Sequence, residues 1–140
     1  MLTRFRPALI TLLFILGAAP AHAGDSKDIA ASPQAKIYQA QLKAVNAGDY
    51  EAYKKTVSKA TLQQMDKQMK EMKMDSKKSM EFMKMMAPSD VKFTGLKVDG
   101  KKATLQLSGK MDGEPNKGTI EEEQEDGAWK VGQQSWTNAK

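Results

Sequence analysis

The chain has no cysteine, and its single histidine and both arginines fall within residues 1–23. The missing cysteine excludes a disulfide framework, a thiol nucleophile and a thiolate metal site. The arginines and the histidine belong to a segment of their own. Arg4 and Arg6 precede an apolar run over 8–19, and Ala21-His22-Ala23 supplies a small-x-small cleavage site. This is the pattern of a secretory signal peptide. The run is too short to span a bilayer, which takes about 20 residues. No cysteine follows the cleavage site, so a lipoprotein anchor is excluded. The expectation is an exported protein, periplasmic or secreted, cleaved after Ala23 and not inserted in the membrane afterwards.

The mature chain, residues 24–140, then has no Arg, His or Cys, and its 20 lysines against 17 acidic residues leave a net charge of +3. Without histidine there is no Ser-His-Asp or Cys-His catalytic arrangement, no ordinary zinc site and no histidine pH switch. Without arginine there is no bidentate fork for phosphate or guanine, and dispersed lysines are a poor nucleic-acid footprint. No nucleic-acid partner is expected. Catalysis would fall to carboxylates, tyrosines or lysines.

Residues 24–32 read as a flexible mature N-terminus, 33–136 as one domain and 137–140 as a tail. Ser32-Pro33 is a helix start, with Tyr38, Leu42 and Val45 at helical spacing and Gly48 as terminator. Asp49 caps a short second helix carrying Tyr50, Tyr53 and Val57. Thr61-x-x-Gln64 has the form of a capping box for a third helix with the stripe Leu62, Met65, Met69, Met72. Asp75-Ser76 interrupts, and a fourth helix carries Met80, Phe82, Met83 and Met86 up to Ala87-Pro88. From Val91 the period becomes two. Asp99-Gly100 and Asp126-Gly127 are hairpin turns, while 111–118 reads as a longer turn. Strands at 119–125 and 128–136 follow, the last with Trp129 and Val131 on one face. Helices followed by an antiparallel meander define an α+β fold.

Two motifs carry a resemblance. Ala44-Val45-Asn46-Ala47-Gly48-Asp49-Tyr50-Glu51-Ala52-Tyr53 resembles the first helix junction of the nuclear transport factor 2-like superfamily, and Asp126-Gly127-Ala128-Trp129-Lys130-Val131 resembles its last strand. The nearest likeness is to its small exported bacterial proteins. The resemblance implies N-terminal helices packed on a curved four-stranded meander, a cone with a pocket inside. Members of the superfamily include isomerases, dehydratases, ligand binders and partner-binding modules, so the fold fixes no activity. Its catalytic members place Asp, His and Tyr in the cone, and this mature chain has no His to place there.

Methionine is the compositional anomaly: eight lie within 65–86. Methionine fills irregular cores, and it also makes adaptable binding surfaces. Met65, Met69, Met72, Met83 and Met86 are the candidate interaction surface. Thioethers also ligate Cu(I), and Met65, Met69, Met72, Met74, Met80, Met83 and Met86 are the candidate ligands on that alternative. The intervening lysines and acids read as a solvated helix face. Glu121-Glu122-Glu123-Gln124-Glu125-Asp126 lacks calcium-loop spacing and reads as an exposed edge strand. Tyr38, Tyr50, Tyr53, Phe93 and Trp129 are candidate pocket residues. The expected function is a non-catalytic module without cofactor, binding an unidentified small molecule or protein, a second copy of the chain among the candidates. Cu(I) binding is the alternative, and a cone-pocket isomerase or dehydratase the third reading.

Overall fold

The computed structural model describes residues 26–140, and the expected leader over 1–23 lies outside them. Five helices, α1 (Ser26–Ala30), α2 (Pro33–Ala47), α3 (Tyr50–Lys54), α4 (Lys59–Glu71) and α5 (Ser76–Met85), precede the sheet. Its strands are β1 (Ser89–Asp99), β2 (Lys102–Met111), β3 (Glu114–Glu125) and β4 (Ala128–Asn138), antiparallel and in chain order. The fold is α+β. α1 lies in the stretch expected to be flexible: Ile29 is buried in the core and anchors it. β4 likewise runs into the expected tail.

Local chemistry sets the helix ends. The Ser32 hydroxyl accepts from the Ala35 N–H, Pro33 opens α2, and Gly48 closes it at φ +68°, a left-handed conformation that glycine adopts without strain. Asp49 and Asp75 cap α3 and α5 through the N–H groups of Ala52 and Lys78. α4 starts earlier than the capping box suggests. Ser58 is its cap and accepts from the Thr61 N–H, while the Thr61 hydroxyl donates to the Gly132 carbonyl 3.2 Å away. Thr61 is thereby a tie to β4 rather than a helix start.

The stretch 111–118 is not a long turn. Asp112 and Gly113, at φ +51° and +79°, form a two-residue turn between paired strands, and Asp126-Gly127 repeats it at +52° and +78°. β3 consequently lies between β2 and β4, so the acidic run is on an interior strand and not on an edge.

One face of the sheet meets the helices and buries Phe93, Ala103, Leu105, Leu107, Ile120 and Val131. Tyr38 of α2 packs edge-on against Phe93 with ring centroids 6.5 Å apart. A second cluster joins Ala44, Val45, Tyr53, Val57 and Met80. Between β3 and β4 the register slips: Glu122 faces Val131, but Ile120 faces Gln134. The extra residue in β4 falls at Gly132-Gln133. Directly opposed residues share a face, so Gln134 and then Trp136, opposite Gly118, turn inward.

The Trp136 indole lies across two glycines. A β-carbon on Gly118 would stand 2.8 Å from the ring, and one on Gly109 3.4 Å from it. Gly118→Ala is therefore expected to destabilise the fold by about 1–3 kcal/mol, the cost of overpacking. Chemical denaturation with Trp136 emission as the signal, in a Trp129→Phe background, checks this.

Candidate ligand groove

The methionine helices do not close over their own apolar stripe. α4 has no buried residue; Leu62, Met65 and Met69 are half-buried. Met80 is the one buried methionine among the described residues. Phe82 and Met86 are 55% and 53% exposed, and Met72 and Met85 more so. α4 is held mainly at its start. The Ser58 N–H donates to the Val131 carbonyl and the Val131 N–H to the Thr56 carbonyl, which sets Val57 against the outer edge of β4. The Lys59 N–H donates to the Glu125 carboxylate at 3.1 Å. Further along, the Tyr50 hydroxyl donates to Asp66 at 3.3 Å, and the Tyr53 hydroxyl points at the Met65 sulfur at 3.4 Å.

Three adjoining hollows result beside β4. An apolar hollow of about 260 Å³ is walled by Leu42, Val45, Phe82, Met83, Met86, Met111 and Trp136. A central hollow of about 420 Å³ is lined by Val57, Gln64, Met65 and Gln68 and shares Gln41, Tyr53, Met83 and Gln134 with the first. At this shared waist the Gln134 amide donates to the Gln41 carbonyl oxygen at 2.7 Å. Gln41 is buried, and its own Nε2 donor has no partner. The third hollow, about 360 Å³, continues from the second through Thr61, Gly132 and Gln133 and reaches Ser58, Ala103, Glu121, Glu122 and Glu123.

Glu122 is the unexpected residue. It sits on the inner face between Ala103 and Val131, is 3% exposed, and neither carboxylate oxygen has a hydrogen-bond partner. The acidic run is thus not wholly solvated. Burial pushes the Glu122 pKa up to about 8, because the charged form loses its hydration without gaining a partner.

The candidate pocket aromatics separate. Tyr53 lines the groove; Tyr38 and Phe93 are in the core; Tyr50, with Lys54 over its ring at 5.1 Å, borders a separate cleft between α2 and α5; Trp129 is half-buried at the start of β4. Burial raises the pKa values of Tyr38 and Tyr53, so both phenols stay protonated. Of the candidate methionines, Met65, Met83 and Met86 line the groove, Met69 and Met74 are half-buried, Met72 is exposed and Met80 is in the core. Gln41, Met111, Glu122, Gln134 and Trp136 are groove residues that sequence reasoning passed over. Glu122 carried a signal, since it shares strand parity with Ile120. No helix among the described residues is long and apolar enough to cross a membrane. Comparison with protein-family models and with curated proteins finds no match.

Between its ordinary 4.5 and about 8, the folded Glu122 holds a proton that the unfolded chain has released. Its contribution to stability therefore falls as pH rises through that window. Glu122→Gln is expected to match the wild type at pH 4 and to melt more than about 5 °C higher at pH 8. Calorimetric melting curves of both proteins across pH 4–9 check this (the difference curve isolates Glu122).

Proposed function

We propose that the protein is an exported, non-catalytic binding module that holds an apolar ligand, a small molecule or a short peptide segment, in the groove beside β4. The carrying observation is the uncovered apolar wall of Phe82, Met83, Met86, Met111 and Trp136. Apolar area left open in a concave site is the ordinary mark of a ligand pocket, and unbranched thioether side chains adjust to irregular ligands. The waist itself is polar, with the Gln134 amide donating to the buried Gln41. At the waist stand two amides, the Met83 thioether and the Tyr53 phenol, which burial keeps protonated. The Gly48-Asp49 helix junction and the closing Trp129 hairpin support placing the chain in the nuclear transport factor 2-like superfamily, with the groove as its cone pocket. The Arg4 to Ala23 leader pattern supports export.

A second reading has its own observation: Met83, Met86 and Met111 line one hollow, and three thioethers suit Cu(I). Methionine-to-leucine changes separate the two, because leucine keeps the apolar wall and removes sulfur. Titration with the neutral probe N-phenyl-1-naphthylamine is expected to give saturable 1:1 fluorescence enhancement. Met83→Ser with Met86→Ser weakens it at least about tenfold, while the two leucine changes leave it within about threefold. Absence of a saturable signal overturns the binding-module reading. A stoichiometric Cu(I) adduct in native mass spectrometry, lost in the leucine double variant, promotes the metal reading.

A further inference from the structure

We propose that the outer edge of β4 takes up an extended peptide from another protein as an added strand, uncharged and apolar at every second residue. The inference deepens the binding-module reading and rests on it. Its starting point is the direction of the backbone groups of β4. In an antiparallel pair, alternate residues turn both N–H and C=O to the partner strand. The Ala139 N–H donates to the Pro115 carbonyl at 3.0 Å, with Asn138 opposite Asn116. Ser135 and Thr137 have the parity of Ala139 and bond to β3. Gln134, Trp136 and Asn138 turn their N–H and C=O groups the other way, where they meet no partner among the described residues.

The chain itself already uses this edge once. Val131 turns outward just before the bulge. Its N–H donates to the Thr56 carbonyl, and its C=O accepts from the Ser58 N–H. Val57 thereby makes a parallel bridge to β4. The bridge stops there because α4 begins at Lys59. Beyond it the strand stays open, and Gln133, Gln134, Ser135 and Asn138 are exposed.

The opposite edge of the sheet is protected. β1 carries Asp90, Lys92, Lys97 and Asp99. Its pairing with β2 slips between Ser89 and Lys92 and again between Phe93 and Gly95, and α1 packs on it. Charges and bulges are the ordinary defence of an edge strand against pairing. Residues 131–139 hold no charged side chain and no proline, and the bulge of β4 at Gly132-Gln133 precedes the open stretch. The edge beside the uncovered methionines is thus the undefended one.

The hollows beside β4 select the partner's side chains. Directly opposed residues share a face, so partner residues opposite Gln134 and Trp136 turn inward as those two do. Gln134 borders the apolar and the central hollow, and Trp136 the apolar one, where Phe82, Met83 and Met86 form the wall. No residue lining either hollow is charged. Apolar side chains suit the inward positions, and a charge there would lose its hydration without gaining a partner. Main-chain bonds supply the pairing and alternate side chains the selectivity, as in strand addition generally.

Isothermal titration calorimetry with a capped peptide of about seven residues, alternating valine and threonine along the open edge, tests the class. The comparison is a peptide of the same composition with its valines contiguous. The alternating peptide is expected to bind at least about tenfold more tightly. Amide hydrogen exchange followed by NMR reads the edge itself. With peptide bound, Gln134, Trp136 and Asn138 are expected to exchange at least about tenfold more slowly, while Ser135 and Thr137, already bonded to β3, change by less than about threefold. Equal affinity for the two peptides, or a bound peptide that leaves those three amides unprotected, overturns the inference and leaves the binding-module reading intact. So does binding of N-phenyl-1-naphthylamine without binding of the peptide. Binding of neither overturns both. Protection of the same amides that rises with protein concentration in the absence of peptide assigns the edge to a second copy of the chain and overturns the peptide.

Discussion

A one-residue slip between β3 and β4 decides what the helices cover. Up to Val131 the strand shows Trp129 and Val131 to the inner side; beyond the bulge at Gly132-Gln133 the inner residues are Gln134 and Trp136. A bulge adds a residue to one strand and rephases everything after it. Three features depend on that rephasing. The indole finds two glycines, Gly109 and Gly118, that leave it room. Gln134 reaches Gln41 on α2. The Gly132 carbonyl turns to receive the Thr61 hydroxyl from α4. An unbroken alternation would present Gln133 and Ser135 inward and leave two glycines facing an empty row.

The helical layer then divides into two regimes. α1 and α2 are bonded to the sheet by burial: Ile29, Ala35 and Tyr38 complete a core with Phe93, Leu105, Leu107 and Ile120. α4 and α5 are attached by polar ties at the start of α4 and by Met80 beneath α5, while most of their apolar stripe stays half-covered. The second regime forgoes hydrophobic stabilisation that leucines packed onto a closed core would supply. A domain of this size has only a few kcal/mol to spare, and it also carries an unpaired acid in Glu122. The two departures lie at opposite ends of the inner row of β4, Glu122 facing Val131 and the uncovered methionines beside Trp136.

Much of the architecture was legible in the residues. Ser32-Pro33, Gly48 and Asp49 act locally, through side-chain oxygens or φ angles that no tertiary contact needs to confirm, and each stands where the pattern placed it, while Asp75, expected only as an interruption, caps α5. The hairpin glycines were equally local. What escaped were the decisions made at a distance. The Thr61 hydroxyl serves β4, a partner far along the chain. Pro115 and Asn116 look like turn residues but sit in β3 because Asp112-Gly113 already completes the turn. Trp136 has the wrong parity relative to Val131 until the bulge is known. Glu122 has the right parity for burial, but its acidic neighbours disguised it. In the candidate site the methionine stripe was visible in the residues, whereas the burial of Gln41 and Glu122 without full partners required the fold.

The order of the strands has a kinetic meaning. Each strand pairs with its successor across a two-residue turn, so the sheet can assemble one hairpin at a time with little loop entropy lost at each closure. The start of α4 is different: the Lys59 N–H meets a carboxylate 66 residues further along the chain, and closing that separation contributes few apolar contacts in return. α4 is therefore the helix expected to open locally at a free-energy cost below that of global unfolding. The hollows beside β4 are thus bounded by the least secured part of the helical layer.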